Sequence, residues 1–225
     1  MAEGNSKYDP SYAQYIEHSI LKPDVGEALI KKFCDEAILY GFATVAINPT
    51  NVKYAAELLK DTGVSVCCSI GFPLGTSTTF VKIAETIEAI KNGAHEVDMV
   101  INIGALKDGK YDYIQNEITA FVEAVHPVAI AKIILETFLL TDDEKVAVCK
   151  MAVKAGADYV KTCTGFNGGQ ATEADIILMK KTVGDACKIK ASTGINNRAT
   201  LNALMKAGAT RFGTSKGIKI INGED

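Results

Sequence analysis

Apolar and polar positions alternate along the chain with one recurring order: an amphipathic stretch of helical period, a glycine, then a short apolar run. The order appears at Leu39-Tyr40-Gly41-Phe42 and at Asp61-Thr62-Gly63-Val64. It returns at Lys91-Asn92-Gly93-Ala94, Lys154-Ala155-Gly156-Ala157 and Lys206-Ala207-Gly208-Ala209. Glycine just past a helix end adopts the left-handed cap without steric cost, and lysine before it suits the negative helix terminus. The apolar runs predict strands near 15–18, 43–48, 64–70, 95–101, 131–136, 157–162, 187–192 and 209–213. Helices are predicted near 25–39, 51–61, 77–92, 112–125, 142–155, 172–183 and 197–207. Phe80, Ile83, Ala84, Ile87 and Ile90 follow helical spacing and are expected to face the core.

Strands alternating with helices imply parallel pairing through helical crossovers. Eight units in 225 residues suit a (β/α)₈ TIM barrel, α/β in class, with a doubly wound open sheet as the alternative. No linker or compositional break divides the chain, so residues 1–225 are expected to form one domain.

Composition narrows the function classes. Hydrophobic residues make up 48% of the chain, and the net charge of -3 offers no basic surface for nucleic acid. No stretch approaches the roughly 18 apolar residues of a membrane span, and the first residues carry no apolar signal core. The cysteines at 34, 67, 68, 149, 163 and 187 form no CxxC pair, which fits reduced thiols and a cytoplasmic location. The histidines at 18, 95 and 126 are never at ligand spacing, so neither a metal nor another cofactor is expected.

Chemistry collects late in the strands, where a parallel barrel carries its active site. Tyr159-Val160-Lys161 ends in a lysine followed by the small turn Thr162-Cys163-Thr164-Gly165-Phe166. A lysine held neutral at such a place can attack a carbonyl and form a Schiff base. Lys190 lies on the next strand, close enough to push one of the two amines toward neutrality, and Asp98 can move protons. Glu17, Ser19, Glu136, Thr214 and Ser215 are also late in strands, whereas Lys132 and Lys188 are early. A purely structural Lys–Asp–Lys ion network is the competing reading of Lys161, Asp98 and Lys190. Three glycine turns follow consecutive late strands: Thr164-Gly165-Phe166, Ser192-Thr193-Gly194-Ile195 and Gly213-Thr214-Ser215-Lys216. Such turns build phosphate cups from backbone N–H groups, and they also occur as tight turns with no ligand.

The sequence resembles the deoxyribose-phosphate aldolases, which are class I Schiff-base aldolases. The likeness runs through Ile16–Pro23, Gly71–Gly75, Glu96–Gly104, Leu135–Thr137, Ala155–Phe166, Lys190–Ile195 and Arg211–Ser215. It implies metal-free cleavage of 2-deoxy-D-ribose 5-phosphate to D-glyceraldehyde 3-phosphate and acetaldehyde, in deoxyribonucleotide catabolism. By motif match, Lys161 is the Schiff-base lysine, Lys190 the neighbouring cation and Asp98 the proton-relay carboxylate. Thr164, Gly165, Thr193, Gly194, Gly213, Thr214 and Ser215 match the phosphate turns. Glu17, Ser19 and Lys132 are expected to support the catalytic groups, and a homodimer or homotetramer is expected. The sequence departs from the family pattern at Glu17 and Ser19 (commonly aspartate and threonine), Cys163 (serine), Thr193 (glycine) and Lys216 (serine). Some members have a lysine where Phe166 stands, so Lys216 is the expected phosphate cation unless it starts the final helix and points to solvent. Cys163 is expected on the same side of its strand as Lys161, within reach of reactive aldehydes. Two other activities stay open: a phosphosugar isomerase working by carboxylate proton transfer, and a barrel that binds a phosphorylated metabolite without catalysis.

Overall fold

The computed structural model describes residues 8–224. Eight parallel strands close a barrel in sequence order: β1 (Ile16–Ser19), β2 (Thr44–Ile47), β3 (Ser65–Ile70), β4 (Glu96–Val100), β5 (Ile130–Ile134), β6 (Tyr159–Lys161), β7 (Lys188–Ser192) and β8 (Arg211–Thr214), with β8 pairing back to β1. The open-sheet alternative is thereby set aside. Around the barrel run α1 (Glu27–Tyr40), α2 (Val52–Leu58), α3 (Thr79–Lys91), α4 (Ile103–Lys107), α5 (Tyr111–Val125), α6 (Asp142–Ala155), α7 (Glu173–Val183), α8 (Arg198–Ala207) and α9 (Gly217–Asn222). The short α4 and α9 carry too few periodic positions to be legible in the sequence.

Local chemistry accounts for the helix ends. Thr141 and Glu144 form a reciprocal capping box at the start of α6. Gly156 closes the same helix with φ 81°, in the left-handed region that favours glycine. Thr78, Thr172 and Asn197 cap α3, α7 and α8 with their side-chain oxygens. The apolar core lies between helices and strands, with Ile30, Phe42, Ile114, Phe121, Val148, Met179 and Leu204 all buried.

Helix α3 departs from expectation. Ile83 and Ile90 pack against the core, but Phe80 is 81% and Ile87 54% exposed, and Ala84 is exposed too. Lys82, Thr86 and Ala89 take the inner face instead. They share the i, i+4, i+7 spacing of the apolar stripe, rotated around the helix. A lysine can occupy that face because its ammonium meets two acceptors there, one of them a carboxylate. Lys82 Nζ donates to Glu117 Oε1 and to the Val100 carbonyl, each at 2.8 Å.

Inside the barrel the filling is ionic rather than aliphatic. Glu17, Asp98, Lys132 and Lys190 are buried there, with Glu96 and Lys161 almost so. Parallel register sets neighbours at one level: Asp98 beside Lys132, Lys161 beside Lys190, Lys190 beside Arg211 and Glu17 beside Gly213.

Candidate active site

Lys161 is the last residue of β6, so its amine reaches the base of a cavity of about 420 Å³ at the C-terminal ends of the strands. Its Nζ donates to Asp98 Oδ2 at 2.7 Å, and Lys190 Nζ donates to the same oxygen at 2.5 Å. The other oxygen, Oδ1, accepts from Lys132 Nζ at 2.9 Å and from the Cys67 thiol at 3.2 Å. Behind them Lys190 pairs with Glu17. Lys132 reaches Glu17 at 3.2 Å and Glu96 at 2.5 Å. Arg211 Nη1 lies 3.2 Å from Glu96 and 3.4 Å from Glu17.

The charges of this network decide which amine is the reactive one. Its carboxylates are Glu17, Glu96 and Asp98, and its basic groups are Lys132, Lys161, Lys190 and Arg211. Three negative charges balance three cations, so one amine is in excess in a largely buried region. Burial drives the Lys161 pKa below its ordinary value, and the Lys190 charge adds to this against the pull of Asp98. Lys190 shifts the other way: burial opposes its charge, but Asp98 and Glu17 outweigh burial and hold the proton. Burial also works against the Asp98 carboxylate, yet Lys132, Lys161 and Lys190 together keep it well below the usual range. Glu17 is held at about 2, because Lys132 and Lys190 overcome the same burial penalty. The result is one amine that gives up its proton more readily than an ordinary lysine, a carboxylate on it and a fixed cation alongside.

Glu17, Cys67 and Glu96 bring possible metal-ligand atoms within 4.8 Å of one another. The Lys132 ammonium already stands among them, 3.3 Å from the thiol and 2.5 Å from Glu96. Lys132 is thus a buried member of the network. Ser19 lines the cavity and donates to the Glu17 carbonyl at 3.0 Å.

The glycine turns after β6, β7 and β8 meet on the cavity wall. Thr164, Gly165, Thr193, Gly194, Gly213, Thr214 and Ser215 all line it. Several of their donors are already engaged. Thr164 gives its N–H to Glu136 at 3.3 Å and its hydroxyl to Glu136 Oε2 at 2.5 Å. Thr214 donates its hydroxyl to the Ile195 carbonyl at 2.8 Å. Among the described residues, the amides of Gly165, Gly194 and Ser215 donate to no protein acceptor. They are the donors available to an anion. Gly165 must remain glycine: φ is 85°, and an added Cβ would lie 2.4 Å from Thr193 Oγ1. Thr193 itself holds φ 72° where glycine was expected.

Two expectations are corrected. Lys216 is exposed at the start of α9 and is absent from the cavity lining, whereas Lys22 in the turn after β1 is on it. Cys163 is buried, donates to the Ser192 carbonyl at 3.0 Å and is not on the lining, because the chain leaves strand geometry after Lys161. Burial raises its pKa, which makes it a poor target for aldehydes. Sequence reasoning passed over Cys67, Glu96 and Arg211. Glu96 was signalled by standing two residues before Asp98, on the same face of β4.

The DeoC/LacD family aldolase profile matches residues 13–223. The chain belongs to this family. A deoxyribose-phosphate aldolase of Halalkalibacterium halodurans is 55% identical over 215 residues, covering 95% of this chain and 96% of that one. One from Geobacillus sp. (strain WCH70) is 54% identical over 212 residues, covering 94% and 95%. Among solved structures, the tetrameric deoxyribose phosphate aldolase of Aeropyrum pernix superposes with a TM-score of 0.88 at 28% identity, covering 94% of this chain and 90% of that one. Membership of the DeoC/LacD aldolases makes the protein a carbon–carbon lyase on a TIM barrel.

Proposed function

We propose that the protein cleaves 2-deoxy-D-ribose 5-phosphate to D-glyceraldehyde 3-phosphate and acetaldehyde, with Lys161 as the Schiff-base nucleophile. The observation that carries this is the charge count around Asp98, which leaves Lys161, facing the cavity, as the amine with the lowered pKa while that of Lys190 is raised. In this scheme the Lys161 amine adds to the C1 aldehyde of the open-chain sugar, and loss of water leaves a protonated imine. A base removes the C3 hydroxyl proton, the C2–C3 bond breaks, and its electron pair moves into the imine to give an enamine. Glyceraldehyde 3-phosphate leaves. Protonation of C2 and addition of water then release acetaldehyde and the free amine. Asp98, between Lys161 and Lys190, is the group suited to carry these protons. The phosphate fits the free amides of Gly165, Gly194 and Ser215, with Thr164, Thr193, Gly213 and Thr214 shaping the turns. Glu17, Ser19 and Lys132 hold the network from behind.

The exposed stripe of Phe80, Ala84 and Ile87 supports self-association as a homodimer or homotetramer. Six free thiols suit a reducing compartment such as the cytoplasm. No helix among the described residues is long and apolar enough to cross a membrane.

The test is acetaldehyde release from 2-deoxyribose 5-phosphate, joined to borohydride trapping. Acetaldehyde with borohydride is expected to add a two-carbon fragment to the peptide containing Lys161. Release without modification of Lys161, or isomerisation without carbon–carbon cleavage, would contradict the proposal.

A further inference from the structure

A phosphate dianion held by amides alone is bound more weakly than one that also faces a cation. The corrected position of Lys216 leaves that role open, and the cavity wall supplies another candidate. Its lining contains no carboxylate, and its basic side chains among the described residues are Lys22 and Lys161. Lys161 is committed at depth to Asp98. Lys22 is exposed and makes no hydrogen bond or ion pair among the described residues. Its turn is nevertheless fixed. Ile20 N donates to the Ala46 carbonyl at 2.9 Å, and Asn48 Nδ2 donates to the Leu21 carbonyl at 3.1 Å, tying the turn to the end of β2. The strand order places this turn beside those of β8 and β7, because β1 pairs with β8 and β8 with β7. A lysine with no partner among the described residues therefore lines the same cavity as the free amides of Gly194 and Ser215.

We infer that Lys22 is a specificity-determining residue: its ammonium supplies the cation for the substrate phosphate, across the cavity mouth from the β6 turn. The inference rests on the phosphosugar reading above. It assigns Lys22 no part in bond cleavage, which belongs to groups at the cavity base. Loss of one charge-assisted contact is expected to raise KM for the phosphorylated sugar by roughly ten- to a hundredfold.

The experiment compares the parent, Lys22→Ala, Lys22→Arg and Lys216→Ala on 2-deoxyribose 5-phosphate and on 2-deoxyribose. For Lys22→Ala the preference for the phosphorylated sugar, as a ratio of kcat/KM values, is expected to fall by that factor, mainly through KM. Competitive inhibition by inorganic phosphate is expected to weaken in parallel. Lys22→Arg is expected to recover most of the preference, and Lys216→Ala to match the parent. An unchanged preference and unchanged phosphate inhibition in Lys22→Ala overturn the assignment while leaving the aldolase reading intact. A parent that does not cleave the phosphorylated sugar overturns that reading, and the assignment with it.

Discussion

Asp98 receives four donors on two oxygens, and their arrangement separates two lysines that look alike in sequence. Lys190 is clamped between two carboxylates, Asp98 and Glu17, and keeps its proton. Lys161 has a single carboxylate, shared with that cation, and loses its own more readily. Removing Lys190 therefore frees Asp98 to hold a proton on Lys161, and the Lys161 pKa rises. In Lys190→Leu the midpoint of the pH profile for borohydride trapping at Lys161 is expected to move to higher pH. Lys190→Arg, which keeps the charge, is expected to move it less. An unmoved profile in Lys190→Leu would show that the Lys190 charge has no part in setting the Lys161 pKa. The same contrast between residue type and surroundings applies to Thr164. It looks like a phosphate ligand in sequence, but Glu136 takes both of its donors.

At the scale of elements, α3 shows how one period can describe two faces. The apolar stripe through Phe80 and Ile87 and the mixed stripe through Lys82, Thr86 and Ala89 both follow helical spacing. The buried pairing of Lys82 with Glu117 turns the second stripe inward and ties α3 to α5. Glu117 also accepts from Asn102 N at 3.0 Å, which fixes the turn after β4. Lys82→Met strands a buried carboxylate and is expected to cost roughly 3–5 kcal/mol in urea unfolding. Adding Glu117→Gln removes the stranded charge, keeps an acceptor for Asn102 and is expected to recover part of that loss. A single variant as stable as the parent would mean that the pair does not hold α3 in place.

For the whole molecule, an ionic barrel interior makes stability depend on acid. Glu17 falls to about 2 from an ordinary value of 4.5, and Asp98 is lowered as well. Carboxylates whose pKa is depressed by folding stabilise the native state above their unfolded pKa. That contribution is lost as pH falls through the folded value. Urea unfolding is therefore expected to show stability holding above pH 4.5 and declining as the pH falls from there towards 2. Glu17→Gln is expected to begin less stable and to lose less over that range. A parent whose stability is flat over that range would contradict the charge state assigned to the network.

The sequence by itself determined the barrel, its eight strands and the strand-end place of Lys161. Helical and strand periods and glycine caps are local signals, written within a few residues of where they act. Burial and charge state are not local. Whether a lysine is neutral depends on the sum of fields from β1, β4, β5 and β7, which meet only when the barrel closes. The orientation of α3 depends on Glu117, 35 residues away from Lys82. The choice between Lys22 and Lys216 depends on which of the two residues lines the cavity. Spacing along the chain carries no information about that, and only the tertiary structure decides it.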